Sequence, residues 1–438
     1  MQSGTLIPCS PPSDSMTLVR TSLLNSIAVI IRVACALALN KILAVFVGPA
    51  GYALIGQLQS VVSIFASLAG GVIGNGVTKG TAEYFDDEIR QRAIWRTAIR
   101  LATVSSILVG VLLLALKDPL AAWLFQRHDL ADVFVWLVVA LPGMGINAVL
   151  LAILNGKKEV NSFVFANIAG SLLGLLVIGG LSVAFGVRGA LIAVAVNPAV
   201  SILASATLFV RMPWFKRQYF SGGVDRESLR SLASYAIMTL TTALCVPISH
   251  MLIRNNLGET IGWAAAGYWQ AMWKISETYL MLITMPLSIY YLPRIAEIRQ
   301  GHLMKDEMAT VARFALPIAT GAAIAIYLLR NTLVGWFFTP EFAPMSDLFA
   351  WQLAGDIVKI ASFVLGYILI GRAMTKAFII TEIAFSLTFV LLCWYFAGQF
   401  GLQGAAIAHF VNYAIYGLVM LALVRYEIEK MDSTPEQI

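Results

Sequence analysis

Two short polar sets interrupt an otherwise apolar sequence at the same spacing. Gln270, Lys274 and Glu277 stand at i, i+4 and i+7, and so do Gln352, Asp356 and Lys359. On a helix these positions share one face, so each set sets an amide, an ammonium and a carboxylate side by side. Such groups can hold an anion, or take up and release a cation, where water is scarce. The order of the two charges is reversed between the sets, so ion pairing within one helix or across two is the alternative reading. Arg32 and Lys41 are further cations inside an apolar run. Arg32 lies about 15 Å into that run at ~1.5 Å per residue, too deep for easy snorkelling. Lys41 falls on the opposite face of an ideal helix and nearer its far end, where snorkelling competes with a cavity role. An ionisable group within a membrane span costs roughly 2.5 to 3.5 kcal/mol on insertion scales, and such groups usually face a protein or water interior. Arg32, Lys41, Lys274, Lys359, Gln270 and Gln352 are therefore the candidate substrate-binding residues, and Asp356 and Glu277 the candidate ion-coupling residues. Glu382 is a weaker candidate near a span boundary, and the isolated His250 and His409 read as packed or interfacial histidines.

The elements that must position these groups are membrane helices. Of 438 residues 59% are hydrophobic and 12% charged, and the mean hydropathy is +0.80, values outside the range of soluble globular proteins. Apolar windows of about 20 residues, the length that crosses a hydrocarbon core, fall near 22–47, 52–78, 94–116, 131–154, 161–184 and 187–210. A second series falls near 231–253, 264–292, 310–330, 346–370, 376–397 and 402–424. The expected fold is an all-α polytopic membrane protein of twelve transmembrane helices. Its parts are a tail over 1–21, a first six-helix lobe over 22–211, a linker over 212–230, a second lobe over 231–425 and a tail over 426–438. Arg90, Arg92, Lys157, Lys158, Lys216, Arg217, Arg226, Arg294, Arg299, Lys305, Arg372, Lys376 and Lys430 fall in alternate loops or at the C-terminus. By the positive-inside rule these face the cytoplasm, as do both termini. The opposite loops are assigned only Lys117, Arg127, Arg188, Arg254 and Arg330. Topology thus accounts for the net charge of +6, and nucleic acid is not an expected partner.

The two series are related at a fixed offset of 215 positions. Phe185-Gly-Val-Arg-Gly-Ala-Leu-Ile-Ala-Val-Ala-Val-Asn197 matches Phe400-Gly-Leu-Gln-Gly-Ala-Ala-Ile-Ala-His-Phe-Val-Asn412, and Asp132-Val-Phe-Val-Trp136 matches Asp347-Leu-Phe-Ala-Trp351. Six spans restore the starting side, so the lobes are expected to be related by a parallel pseudo-two-fold repeat about the membrane normal, with a cavity between them. The partners of Gln352, Asp356 and Lys359 in this alignment are Leu137, Leu141 and Met144. A polar site in one lobe and an apolar surface in the other would suit an amphipathic ligand, or house ion coupling on one side only.

Several chemistries lack their residues. There is no Gly-x4-Gly-Lys-Ser/Thr phosphate loop, no His/Cys/Glu cluster at metal-ligand spacing and no Gly-x-Ser-x-Gly turn. No enzyme, cofactor or metal site is expected. Cys35, Cys245 and Cys393 lie in apolar runs and Cys9 in the polar start, without a pairing pattern. Gly70 to Gly76 reads as close helix packing or a flexible bend rather than as an anion loop. The apolar run begins only after Arg20, so Met16 is the expected start of translation, and no cleaved signal is expected.

Lys41-Ile-Leu-Ala-Val-Phe-Val-Gly-Pro-Ala-Gly51, Asn75-Gly-Val-Thr-Lys79 and above all Leu348-Phe-Ala-Trp-Gln-Leu-Ala-Gly-Asp-Ile-Val-Lys359 resemble the bacterial polysaccharide flippases of the multidrug/oligosaccharidyl-lipid/polysaccharide exporter superfamily. The resemblance runs from about residue 18 to the end. It implies transfer of an undecaprenyl-pyrophosphate-linked oligosaccharide, of the lipid III or O-antigen-unit kind, from the cytoplasmic to the periplasmic leaflet of the inner membrane without ATP. It further implies two six-helix lobes around a cavity, often cationic, to which Arg32, Lys41 and Lys359 correspond. Arg32 replaces a lysine of that pattern, which keeps the charge and changes the headgroup or sugar contacts. A proton or sodium ion would be the counter-ion, and the polysaccharide polymerase and chain-length regulator further partners. A cation-coupled multidrug exporter of the same superfamily is the alternative; a membrane-bound polymerase or ligase would need a large outer loop, and every outer loop here is short.

Overall fold

The computed structural model describes residues 14–220, 223 and 225–433. Cys9 and nearly all of the stretch before Met16 lie outside the described residues. The chain is a bundle of helices: α1 Asp14–Ala69, α2 Gly74–Glu83, α3 Glu88–Phe125, α4 Asp132–Gly156, α5 Val160–Val200 and α6 Ile202–Val210, then α7 Arg226–Thr260, α8 Trp263–Glu297, α9 Gly301–Phe337, α10 Phe349–Gly371, α11 Thr375–Phe400 and α12 Leu402–Ser433. Short 3-10 turns precede α2, α4, α7 and α10, and no strand occurs among the described residues.

Two of these helices are hairpins. In α1 the break is Gly48, at φ 67° and ψ 179°. Glycine reaches positive φ without a Cβ clash, and Pro49 then opens the second leg with its φ already set and no donor left over. Tyr52 Oη donates to Asn40 Oδ1 at 2.8 Å, residues that an unbroken helix would hold about 18 Å apart. In α5 the break is Gly186, at φ 57° and ψ −137°. A Cβ at Gly189 would lie 2.1 Å from the Leu181 carbonyl oxygen, which an unbroken helix would hold about 12 Å away. Gly401 turns α11 into α12 at φ 59° and ψ −137°, with Gly404 pressed on the Phe396 carbonyl in the same way.

This punctuation recurs. Gly186 and Gly401 are 215 positions apart, and so are Lys158 and Ala373, both at positive φ. Helices α4 and α10 end at Gly156 and Gly371, and α5 and α11 begin at Val160 and Thr375, again at that separation.

Among the described residues eight helical runs are long and apolar enough to cross a membrane. The hairpin α1 and the run α5–α6 each count once in that number, and α7 and α8 fall outside it. The outer faces carry exposed Ile107, Leu108, Leu176, Phe314, Leu328 and Leu418, side chains that hydrocarbon, not water, would cover. The chain is a multi-pass membrane protein.

The core is united at one end and divided at the other. Around the turns at Gly48 and Gly262, one buried cluster runs from Leu43, Tyr52, Leu58 and Leu137 in the first helices to Met272, Phe338, Phe342 and Phe349 in the later ones. At the opposite end, Ile73, Trp95, Ile153 and Phe209 form a separate cluster. Tyr291, Ile295, Ile368 and Val424 form another, drawn wholly from α8–α12. The linker belongs to the first of these two, for Trp214 and Phe220 pack on Trp95 and Tyr219 lies under the Arg92 guanidinium at 3.7 Å. Gly70 crosses Gly145 backbone to backbone, its added Cβ 2.9 Å from the Gly145 Cα. Gly70 thus serves close packing, while the 3-10 turn Gly71–Ile73 bends the chain there and a Cβ at Gly74 would meet nothing within 4 Å.

Candidate functional site

A cavity of about 450 Å³ lies inside the second series of helices, walled by α7, α8, α10, α11 and α12. Its polar lining includes Glu277, Lys359, Glu382, His250 and Asn412, and eight aromatic side chains, among them Trp273, Phe389 and Tyr413, make most of the rest.

Helix α8 brings Trp273, Lys274 and Glu277 to one face, and the carboxylate is already engaged there. Glu277 Oε2 accepts from Lys274 Nζ at 3.0 Å and Oε1 from Trp273 Nε1 at 3.1 Å. Lys274 and Glu277 therefore form an ion pair within one helix, the alternative raised by their spacing. Helix α10 divides its polar set by depth. Gln352 is buried and its Nε2 donates to Ser276 Oγ at 3.3 Å. Asp356 is fully buried between α8 and α12. Its Oδ2 accepts from Tyr279 Oη at 2.9 Å, and His409 Nε2 stands 2.9 Å from its Oδ1. Lys359, one turn further on, alone reaches the cavity. It forms no ion pair among the described residues. Instead its ammonium lies 4.9 Å from the centre of Trp273, 5.2 Å from Tyr413 and 5.6 Å from Phe363, faces whose quadrupoles attract a cation.

The remaining candidates lie elsewhere. Arg32 is half-buried against α5, with Nη2 3.5 Å from Asn167 Oδ1, and does not line this cavity. Lys41 Nζ donates to the Phe338 carbonyl at 2.6 Å and the Gly335 carbonyl at 3.3 Å. It thereby satisfies the end of α9, where helix carbonyls lack partners and the dipole favours a cation. Gln270 is buried and its Oε1 accepts from Arg254 Nη1 at 2.5 Å.

Arg254 corrects the sequence reading. Its assignment to a loop followed from ending the span at 253, whereas α7 continues to Thr260 and Arg254 is 1% exposed. Its Nε donates to Gln57 Oε1 at 3.1 Å and its Nη2 to Ser60 Oγ. Sequence reasoning also missed the contact of His409 with Asp356. The signal was present in the alignment of the two series, where His409 falls opposite Val194, a polar ring replacing a branched aliphatic at one helical position.

These features define a class: an all-helical membrane protein with buried polar groups and a cavity that Glu277, Lys359 and Glu382 share with aromatic side chains. The comparisons with known proteins identify it further. The family model for polysaccharide biosynthesis proteins matches residues 18–299, and the chain belongs to that family. It is 28% identical over 402 residues to the lipid III flippase of Escherichia coli (strain K12), covering 92% of this chain and 96% of that protein. The lipid III flippase of Shigella flexneri matches to the same extent. Among solved structures, the inward-facing conformation of a multidrug resistance MATE family transporter of the MOP superfamily superposes with a TM-score of 0.76 at 16% identity, over 93% of this chain and 99% of that one. A MOP superfamily transporter from Pyrococcus furiosus, described by the reverse polarity of its binding pocket, superposes with a TM-score of 0.68 at 16% identity, over 97% of this chain and all of that one. These structures share the fold.

Proposed function

We propose that this protein is a flippase that carries an undecaprenyl-pyrophosphate-linked oligosaccharide from the cytoplasmic to the periplasmic leaflet of a bacterial inner membrane, by ATP-independent alternating access. The observation that carries the reading is Lys359, an ammonium that makes no ion pair among the described residues and opens on a cavity in a membrane interior. A charge there that is not directly paired is costly; Asp356 and Glu277 offset this only from a distance, and a diphosphate would meet the ammonium directly through charge-assisted hydrogen bonds. The sugars would lie against the aromatic walls while the prenyl tail stays in lipid. Full-length similarity to lipid III flippases supports the substrate class.

In this reading the hairpins α1 and α5–α6 cross the membrane twice each. With α7, α8 and the six other apolar helices the count is twelve, with both termini cytoplasmic. The spacing of 215 between matching helix ends and glycine turns supports two six-helix lobes related by a parallel repeat. The end holding Gly48 and Gly262 is then periplasmic. Asp356, together with His409, or Glu277 would take up the counter-ion, a proton or sodium, and a membrane potential would drive it by about 2.3 kcal/mol per charge per 100 mV. Lys274, Gln270 and Gln352 would keep the wall of the site in register, and Arg32 would meet cargo from the first lobe. The polymerase and chain-length regulator would receive the product.

Depletion of the protein is expected to build up an undecaprenyl-pyrophosphate oligosaccharide on the cytoplasmic leaflet, read by lipid mass spectrometry, whose mass names the sugar. Unchanged lipid-linked intermediates in a strain lacking other flippases would overturn the reading. A second reading has its own observation. The cavity holds Glu277 and Glu382 against the single Lys359, among eight aromatic side chains, a composition that suits an amphipathic cation. A multidrug exporter predicts raised drug susceptibility on deletion, with normal lipid intermediates.

A further inference from the structure

Arg254 is buried where the two series of helices meet, and among the described residues no carboxylate pairs with it directly, Glu277 acting on it only from a distance. Its three hydrogen-bond partners, Gln57 Oε1, Ser60 Oγ and Gln270 Oε1, are neutral, and the Trp269 ring lies 6.0 Å from the guanidinium carbon. The partners come from the second leg of α1 and from α8, so one side chain on α7 fastens three segments. Gln57 extends the fastening, for its Nε2 donates to Asn255 Oδ1 at 2.5 Å and to the Met251 carbonyl at 3.3 Å. Asn255 Nδ2 in turn reaches the Trp123 carbonyl of α3 at 3.2 Å. Beside this network the backbones touch: a Cβ at Gly267 would lie 1.9 Å from the Pro49 carbonyl oxygen.

A joint of this kind does not need a positive charge. Taking a guanidinium out of water costs several kcal/mol, and hydrogen bonds to neutral groups return only part of it. A neutral side chain of similar volume would hold the segments as well or better. The charge therefore calls for a second role, in a state where these partners have moved away. Arg254 stands six residues before the end of α7, about 9 Å inside that end, whereas Lys359 stands ten residues into α10, about 15 Å inside the same end. The two cations thus stand at successive depths from that end.

We propose that Arg254 is a cargo-binding cation of the outer passage, held shut in this conformation and released when the joint parts, so that the diphosphate handed on from Lys359 is met by a second positive group before it leaves. This rests on the flippase reading. When α1 moves off α7 and α8, the neutral oxygens of Gln57, Ser60 and Gln270 are exchanged for diphosphate oxygens, which are stronger acceptors for a guanidinium and bind it two at a time.

The test uses the full-length protein in proteoliposomes, with its cysteines replaced and Ala53→Cys as reporter, since Ala53 is fully buried at this joint. Gly267→Ala cannot close against Pro49, so labelling of the reporter by a membrane-impermeant maleimide is expected to rise. Undecaprenyl pyrophosphate, the probe, is expected to slow that labelling in the Gly267→Ala background. Losing one charged hydrogen-bonding partner should raise the lipid concentration needed for protection by about tenfold or more in Arg254→Gln, and less in Arg254→Lys. Undiminished protection in Arg254→Gln overturns the proposal. The change in tryptophan fluorescence on adding the same lipid that is lost in Trp273→Phe, and so reports Trp273 alone, separates the two readings. If Trp273 responds and protection ignores Arg254, this inference fails alone; if neither responds, the flippase reading fails with it. Should Gly267→Ala not fold, Arg254→Met in otherwise native protein decides: glycan export should fall while thermal stability holds or rises, and normal export overturns the proposal.

Discussion

Replacing Lys359 by methionine separates its charge from its packing. The side chain makes no ion pair among the described residues, and its ammonium rests against Trp273, Tyr413 and Phe363. Removing it forfeits cation–π contacts worth about 0.5 to 2 kcal/mol. Methionine returns much of that, because its thioether packs favourably on aromatic rings and it leaves no buried charge. The thermal unfolding temperature in detergent should therefore move little. Cargo binding should not escape so lightly. A hydrogen bond to a charged group contributes about 1.5 to 3 kcal/mol, so losing one to a diphosphate weakens binding roughly 10- to 150-fold. Lys359→Arg should recover part of the loss. The assay is surface glycan in a strain carrying only the variant, beside lipid mass spectrometry for the retained intermediate. Full export by Lys359→Met would refute the role of the cation. A large fall in unfolding temperature would show instead that the ammonium holds α8, α10 and α12 together.

Two further substitutions probe the scaffold. Gly186→Ala places a side chain at φ 57° and ψ −137°, a conformation that costs a non-glycine residue about 1 to 3 kcal/mol. It should lower the unfolding temperature, while Gly180→Ala, with nothing within 4 Å of the added carbon, should leave it unchanged or raise it. Lys41→Ala removes two hydrogen bonds to the end of α9, and a loss of about 1.5 to 3 kcal/mol in stability is expected from bonds made by a charged donor. If export fails in Lys41→Ala with stability intact, the lysine meets cargo and is not merely a cap.

Helices and their turns were legible because their signals are local. Gly48-Pro49 and Gly186 mark reversals by the stereochemistry of single residues, and both expected span boundaries fall beside them. The charge-rich ends were less so. Lys and Arg usually mark where a span meets water, and that rule set Arg254 in a loop although three polar side chains from distant segments bury it. The site divided in the same way. Helical spacing brought Lys274 to Glu277 and set Lys359 on the face it occupies, but it carried no information about depth. Gln352 and Asp356 share that face and are sealed in an interface. His409 lies 53 positions from Asp356, and no local pattern joins them. Lys41 and Gln270 found partners in segments that only folding brings near.

On the proposed alternating access, a core joined at one end and divided at the other would make each half a lever. Helix α8 has 35 residues and is about 52 Å long, so a turn of about 5° around the joined end carries the far tip about 4.5 Å. Side chains near the fulcrum meanwhile shift by less than an ångström, a slack that rotamers absorb without unpacking the shared cluster. Force balances the other way: a ligand wedged near the divided end acts with a long arm, and a small push there bears heavily on the few hydrogen bonds around Arg254. The opening at one end and the closure at the other would then be set by a single angle.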